Sequence, residues 1–517
     1  MPSFGQTKLL RFEPPALGRQ KWLERTSFLV DSAQLSAGHS LTAGGRALIK
    51  EFAGYKTMLP QTGCTAFDAD FAEIQHLAGQ TVESETALTL ALQALYAKII
   101  GVNLSAYDVE ELRAEAPLVL KSMYQLRLDL RERLKDWEAR GLVSAEAEKA
   151  LRSVFRAIRY ATDMLGELAT GYDQMETGEK VLPAFTGTDI NTLVHPYLEK
   201  PEGRIPFRSG DVIIVRGLRH NSAAIARIGD VDSQFSHAAI IHIDEKGRDR
   251  VLESLIEEGA TISNLDYTLE HGLGRAVLFR HRDSDIAARA ADKMYEKIRS
   301  SRRRGGSHIF YDFTMELNGY DELFCSKVIR EAYDKASGGL VMLPTYPTEF
   351  RTSPRDFLDW IGVTADVSFA PGDMELETQF DAIAEWRDYR KTSRMRLMDM
   401  VMVKLFEWME HQGYVFRPGL GIRLISFFGK LSGYLPNFLK DFLSFAIPKV
   451  PSNMEGKTIG AIAMLHSTAE PLYQELRKIE NASINQHNRP LHPFQIYEYL
   501  DEFERKANGK IGYLKKA

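Results

Sequence analysis

Residues 236–241 are Ser236-His237-Ala238-Ala239-Ile240-Ile241, and their small and β-branched side chains predict a buried strand with a histidine near its start. Residues 324–329 are Phe324-Cys325-Ser326-Lys327-Val328-Ile329, and the apolar spacing that follows predicts a helix beginning beside the cysteine. Imidazole and thiol are the two groups that thiolate chemistry requires. The two stretches therefore predict a strand and a helix that bring these groups together.

Short β-branched runs surround the first stretch, and turn-forming residues bound them, as in an antiparallel sheet. We expect strands over 211–217, 238–243, 250–256 and 276–280. Helical spacing follows over 285–299 and 326–335, and Gly338 ends the second of these helices. Strands and helices are thus segregated along the chain, which predicts an α+β domain with a small antiparallel sheet.

Helical patterns flank this domain on both sides. Between about residues 80 and 170 the apolar residues recur at helical spacing, with Gly141 placed to end one helix and Ser144 to cap the next. From about residue 380 the pattern is helical again. We predict a mainly helical region over 1–195, the α+β domain over 196–365 and a mainly helical region over 366–517.

Composition excludes several classes of protein. The net charge of -5 over 517 residues argues against a general nucleic-acid binder, which needs a clustered excess of Lys and Arg. Only two cysteines, Cys64 and Cys325, are present, so a disulfide framework is not expected. Residues 1–6 lack the features of a secretory signal, so we expect cytoplasmic synthesis, no transmembrane helix, and export only by a signal-independent route.

Cys325 is the candidate nucleophile, because unpaired N–H groups and the dipole at a helix N-terminus favour thiolate over thiol. Its position alone leaves an alternative open, since free cysteine is among the residue types most often buried as a small apolar side chain. Cys64 follows Thr62-Gly63 and is expected to lie in a loop without such support.

His237 and His242 fall on opposite faces of the same predicted strand, so only one of them can face Cys325. A hairpin centred on Glu245 would set His237 opposite Glu253, with both side chains on one face. The carboxylate would then orient the imidazole and stabilise its charged form. A purely structural histidine is the alternative.

The two glutamates that follow are expected to lie outside this arrangement. Glu257 and Glu258 come further along the same strand or in the turn after it. We expect substitutions at either position to have little effect on the chemistry of His237.

These residues resemble the permuted papain-like amidases of the YiiX type, with the motifs in the family's order. The resemblance runs from about residue 205 to 360, through the motifs at 210–213, 235–240, 251–254, 311–313, 323–329 and 353–358. Here the histidine precedes the cysteine, whereas the order is reversed in papain and in NlpC-like cell-wall peptidases. A circular permutation of that fold produces this order, so the resemblance implies a permuted papain-like core.

The resemblance also implies roles for individual residues. It makes Cys325 the nucleophile, His237 the base and Glu253 the orienting residue of a cysteine hydrolase. Lys327 departs from the pattern, because the family commonly has Glu there. Tyr311 is a candidate second donor to the oxyanion, beside the backbone N–H of Cys325. A core aromatic residue is the alternative for Tyr311.

No metal or nucleotide cofactor is expected. His271, His281 and His308 are scattered, and no two histidines have the spacing of a helical zinc motif. The glycines lack the sequence context of a phosphate-binding loop.

The expected partner is an acyl-containing small molecule or lipid. Related enzymes include acyltransferases resembling lecithin retinol acyltransferase, and unpermuted relatives cut peptidoglycan peptides, so amides and esters, hydrolysis and acyl transfer all stay open. Residues 414–450 mix aromatic, aliphatic and basic side chains, which favours membrane-surface contact and a lipid substrate. A buried helical hairpin is the alternative for that segment. A non-catalytic helical binding or delivery protein with a relic amidase domain is the alternative for the whole chain.

Overall fold

One large antiparallel sheet organises the structure. The computed structural model describes residues 64–102, 107–174, 182–187, 189–198, 203–229, 231–270, 272–350, 355–418 and 453–517. The strands in these ranges are β1 Thr192–Val194, β2 Val212–Gly217, β3 His237–Ile243, β4 Asp249–Leu255, β5 Gly259–Asn264, β6 Leu273–His281, β7 Thr348–Glu349, β8 Val367–Ser368, β9 Phe380–Arg387, β10 Tyr414–Phe416, β11 Lys510–Ile511 and β12 Leu514–Lys516. Seven of them form a sheet in the order β1-β9-β6-β2-β3-β4-β5.

Helices precede, interrupt and follow this sheet along the chain. Those in the described ranges are α1 Cys64–Gly79, α2 Glu85–Gly101, α3 Val109–Ala139, α4 Ala145–Thr170, α5 His220–Arg227, α6 Leu265–Glu270, α7 Ser284–Ser301, α8 Cys325–Ser337, α9 Asp356–Ile361, α10 Tyr389–Gln412, α11 Gly456–His487 and α12 Pro493–Lys506. The predicted α+β class is confirmed.

The connection between α3 and α4 follows the predicted signals. Gly141 has φ +66 just after α3, a left-handed conformation that glycine adopts without strain. The Ser144 hydroxyl then accepts a hydrogen bond of 3.2 Å from the backbone N–H of Ala147 in the first turn of α4.

The hairpin of β3 and β4 has a different register from the predicted one. Ile240 pairs with Leu252 and Ile243 with Asp249, so the turn is centred on Lys246 rather than on Glu245. The Gly247 N–H donates to the Asp244 carbonyl at 2.8 Å, and Gly247 has φ +68. A tight turn with glycine in this conformation fixes the register.

Residues 380–387 form β9, which corrects the expectation of helix from residue 380 onward. β9 pairs with β1 on one side and with β6 on the other, so it lies inside the sheet. Its charged residues Glu385 and Arg387 are buried, which hides the apolar alternation that would predict a strand. The short strands β10, β11 and β12 likewise interrupt the helical end of the chain.

Both faces of the sheet are covered. Ala238 and Ile240 belong to a hydrophobic cluster with residues of α3, α4, α7 and α8, whereas Ala239 and Ile241 belong to another with residues of α6. The sheet also takes β1 and β9 from outside 196–365. The limits at 195 and 365 stay a prediction as domain boundaries.

Buried ion pairs join the helices before the sheet to the sheet itself. Asp163 of α4 pairs with Arg387 of β9 at 2.9 Å and also with Arg275 of β6. Arg127 of α3 pairs with Glu385 of β9. All of these side chains are buried. Because a buried charge is costly without its partner, these pairs fix how α3 and α4 lie against the sheet.

The segment 414–450 is described only at its beginning. Tyr414 and Phe416 are buried in β10, which pairs with β12 near the C-terminus, so this part is a strand rather than a surface segment. Residues 419–450 lie outside the described residues. No helix in the described ranges has the length and apolar character needed to cross a membrane.

We expect Asp163→Asn to lower the free energy of unfolding by about 3–5 kcal/mol, because it leaves two buried guanidinium groups without their shared carboxylate. Urea unfolding followed by circular dichroism measures this. Asp129→Asn, at an exposed position of α3, is the matched control and should change the free energy by less than about 0.5 kcal/mol. Equal unfolding midpoints for the two variants would contradict a structural role for Asp163.

Candidate active site

The chain that enters β3 is held by buried arginines. The Arg159 Nε of α4 donates to the Gln234 side chain at 2.6 Å, and Arg275 donates to the Gln234 carbonyl at 3.3 Å. Both guanidinium groups lie over the Phe235 ring, at 5.0 and 5.9 Å from its centroid. Gln234 has φ 60, an uncommon conformation for a non-glycine residue. These contacts fix the backbone just before His237.

His237 and Glu253 are in contact despite the corrected register. His237 Nε2 lies 2.8 Å from Glu253 Oε2, and the carboxylate is buried. The observed pairing ends at Ile240 and Leu252, and its register, continued by one residue, would set Glu253 opposite Ala239, so Glu253 reaches His237 diagonally on one face of β3 and β4. Diagonal neighbours in an antiparallel pair lie within reach of long side chains. The predicted contact therefore tolerates the shift of register.

Cys325 begins α8, as the sequence predicts. Phe324 at the N-cap provides no side-chain hydrogen bond to the first turn, and the Ser254 hydroxyl of β4 donates to the Leu323 carbonyl. The pairing of β3 with β4 stops at Ile240, and the Ala238 N–H bonds the Cys325 sulfur instead. The thiol therefore lies where the two strands have parted.

The thiol and the imidazole shift each other's protonation. Burial disfavours a charged imidazole, yet hydrogen bonds to Cys325 and Glu253 and their negative charge outweigh it and raise the pKa of His237. Burial also favours the neutral thiol, yet the hydrogen bond and charge of His237, with Ser326 and Ala238, lower the pKa of Cys325. Both shifts favour a thiolate beside an imidazolium.

Tyr311 lies beside this pair. Burial, with the negative charges of Cys325 and Asp312, raises the pKa of Tyr311 well above its ordinary value, so its hydroxyl keeps its proton. Its ring also packs against Phe313, with centroids 5.1 Å apart. Both interpretations of Tyr311, as oxyanion donor and as core aromatic, agree with these contacts, and its role stays a prediction.

Lys327 forms a buried ion pair at the same helix start. Its Nζ lies 2.7 Å from Asp312 Oδ2 and 3.0 Å from the Asn318 carbonyl. The pair joins the first turn of α8 to the loop that carries Tyr311. The departure from the family's usual Glu thus has a local structural role.

His242 lies apart from the cysteine, as predicted. Its Nε2 is 3.0 Å from Asp292 Oδ1, and its ring stacks on Tyr295 at a centroid distance of 4.3 Å. Both partners belong to α7. Of the two histidines, His237 is the one that contacts Cys325.

Two residues near the site, Glu257 and Asn453, were not predicted as part of it. Burial raises the pKa of Glu257, whereas the positive charges of Arg219 and His237 lower it, so Glu257 is close enough to act on the imidazole. Glu257 lies in the turn after β4, one of the two places predicted for it, and the small effect of its substitution stays a prediction. Asn453 Nδ2 donates to the Tyr311 carbonyl at 2.9 Å. Asn453, the first described residue after 419–452, therefore lies next to the site. Asn453 is distant from Tyr311 in sequence, and neither Glu257 nor Asn453 belongs to a motif, so only the tertiary structure identifies them.

Cys64 differs from the prediction, because it is the first residue of α1 rather than part of a loop. Both cysteines therefore begin a helix, so the position at a helix start does not distinguish Cys325 from Cys64. Within the described ranges, the side chains of His220, His466 and Glu470, which are of metal-ligating types, lie together outside this site.

Residues 207–349 match the model of a family described as permuted papain-like amidase enzyme, YaeF/YiiX, C92 family. The matched segment contains His237, Glu253, Tyr311 and Cys325. The predicted resemblance and the permuted papain-like core are confirmed for this segment, and the family supports hydrolase activity of the amidase type. No significant match was found among curated proteins or among solved structures.

We expect Cys325 to be alkylated by iodoacetamide at pH values well below the ordinary thiol pKa of about 8.5, because His237 stabilises its thiolate. The rate should fall only as the pH drops below the lowered pKa of the thiol. Rates are measured by mass spectrometry in a Cys64→Ser chain. His237→Ala should slow alkylation at pH 7 by about tenfold or more.

His242→Ala is the matched control and should leave the alkylation rate unchanged. Circular dichroism of both variants checks that they are folded. A wild-type rate that rises only near pH 8.5, or equal losses in the two variants, would mean that His237 does not support the thiolate.

Proposed function

We propose that the protein is a cysteine hydrolase or acyltransferase that cleaves an acyl amide or ester bond through an acyl-enzyme. One observation carries this proposal: the His237 imidazole lies 2.8 Å from the Glu253 carboxylate and close enough to Cys325 for the thiol and the imidazole to shift each other's pKa. A nucleophile, a base and an orienting acid in contact are the arrangement of a catalytic triad. A buried apolar cysteine would not need such partners.

In the proposed mechanism His237 holds the proton that leaves the Cys325 thiol, and the thiolate attacks the acyl carbon. The backbone N–H of Cys325 at the start of α8 is the first donor to the oxyanion of the tetrahedral intermediate, and the protonated Tyr311 hydroxyl is the candidate second donor. The imidazolium then protonates the leaving amine or alcohol. Water, or another acceptor, releases the acyl group from the sulfur.

Glu253 keeps the imidazole oriented while its charge changes. Its carboxylate is buried, and Oε2 lies 2.8 Å from His237 Nε2. Because the imidazolium forms beside it, the carboxylate is expected to lower the energy of the charged intermediate.

The favoured substrate is a lipid with an acyl chain. The aromatic and basic mixture of residues 414–450 supports contact with a membrane surface, although only its first residues are described, as part of β10. The family's description as amidases supports the alternative of a peptide amide in peptidoglycan. The joint presence of Cys325, His237 and Glu253 argues against a relic domain that only binds.

We expect purified protein to release fatty acid or lysophospholipid from vesicles of phosphatidylcholine and phosphatidylglycerol, and to carry an acyl adduct on Cys325 visible in its intact mass. Cys325→Ser should give neither. Peptidoglycan fragments are assayed in parallel by the same mass spectrometry. Cut stem peptides with untouched lipids would replace the lipid proposal with the amidase alternative. If the protein cleaves neither lipids nor peptidoglycan fragments and Cys325 is unreactive, the alternative of a non-catalytic binding protein would be favoured.

We expect Glu253→Gln to lower turnover by about a hundredfold or more, because the neutral amide cannot balance the imidazolium. Alkylation of Cys325 near neutral pH should slow as well. Glu258→Gln is the control, since Glu258 is exposed in the turn after β4, whereas Glu257 is less exposed and lies near His237. If Glu253→Gln keeps the wild-type rates of turnover and alkylation, the catalytic residues would be a Cys-His dyad without Glu253.

A further inference from the structure

Two histidines and a glutamate meet where α5 contacts α11, outside the proposed triad. His220 is the first residue of α5, and His466 and Glu470 lie on α11. One ligand atom from each of the three side chains lies within 4.8 Å of the others. His220 Nε2 is 2.7 Å from Glu470 Oε2, and the rings of His220 and His466 are 5.2 Å apart.

The spacing of the residues on α11 places their side chains on the helix face that contacts α5. His466 and Glu470 are four residues apart, and Tyr473 follows by three more, so all three lie on one face of the helix. Tyr473 packs edge-on against His220, with ring centroids 5.7 Å apart. The sequence signal is therefore a His and a Glu one helical turn apart, which a search for paired histidines misses.

Two buried polar atoms at this place have no hydrogen-bond partner among the described residues. They are Nδ1 of His220 and the hydroxyl of Tyr473, and each residue is only 2% exposed. Buried polar atoms without partners are rare in folded proteins, so the surroundings of this cluster are polar beyond what the described side chains satisfy. The Glu470 side chain remains 31% exposed, which leaves an entry path from solvent.

The donor set selects the kind of ion. Two imidazoles and one carboxylate match the ligands of Zn²⁺, whereas Ca²⁺ and Mg²⁺ prefer oxygen ligands. Tetrahedral zinc with bonds of about 2.0–2.1 Å separates its ligand atoms by about 3.3 Å, so His220 and Glu470 need to part only slightly. Gln474 Nε2 donates to the other carboxylate oxygen, Oε1, at 2.5 Å and supports its orientation.

We propose that His220, His466 and Glu470 bind one Zn²⁺ ion, with a water molecule as the fourth ligand, and that the ion clamps α11 to the end of the sheet that carries His237. α5 follows β2 directly, and β2 pairs with the start of β3 at His237. Arg219, the residue before His220, acts on Glu257 beside His237. The clamp would thus fix α11 next to the thiol site without taking part in its chemistry.

The test measures zinc binding by the full chain, after treatment with a chelator, by isothermal titration calorimetry. Cys325→Ser is the background, because a thiolate beside His237 and Glu253 could itself bind zinc. We expect one ion per chain, and affinity lower by about a hundredfold in His466→Ala and Glu470→Gln. His487→Ala, at an exposed position at the end of the same helix, is the matched control and should bind as the background does.

Two further readouts separate the clamp from other outcomes. Co²⁺ in the wild-type cluster should give d–d bands that persist in Cys325→Ser and disappear in Glu470→Gln, whose fold is checked by circular dichroism. Zinc should raise the melting temperature of the background but not that of Glu470→Gln. Absence of stoichiometric binding to the Cys325→Ser chain, or equal affinity in Glu470→Gln and the background, would overturn the proposal and leave a His-Glu ion pair.

Discussion

Buried guanidinium groups determine where the proposed base lies. Arg159 and Arg275 hold Gln234 and Phe235, and carboxylates from α4 and the residues before β9 neutralise them. A buried ion pair adds little net stability compared with an apolar pair of the same size. Its directional hydrogen bonds, however, allow few arrangements, and they hold Gln234 in a backbone conformation that most residues avoid. We infer that the helical region before the sheet serves to position the entry into β3.

The chemistry at α8 depends on an interruption of regular structure. Where β3 and β4 separate, a backbone N–H that would complete the ladder bonds a sulfur atom instead. The same opening lets His237, which is paired with Glu253 on the face away from α8, reach the thiol of Cys325. A fully paired hairpin would keep the two sides of the sheet apart. The site therefore combines His237 from one face of the sheet with Cys325 from the helix on the other face.

Local signals predicted the parts of the site that short segments encode. Periodicity and residue type predicted the strand of His237, the helix start at Cys325 and the contact with Glu253. The predicted hairpin register was wrong by two residues, because the tight turn with Gly247 was not recognised. β9 was missed because Glu385 and Arg387 are buried only through partners elsewhere in the chain. Glu257 has no motif, and the fold alone brings it near His237.

The position of β9 has a consequence for synthesis of the chain. β6 ends at His281 and its neighbour β9 begins at Phe380, so at about 5–20 residues per second the edge of β6 waits roughly 5–20 s for its partner. An open strand edge invites pairing with other chains. By then α3 and α4 have already left the ribosome, and Tyr124 of α3 bonds the Ala382 carbonyl of β9 in the finished fold. The early helices are thus available to shelter the nascent sheet until its last inner strand arrives.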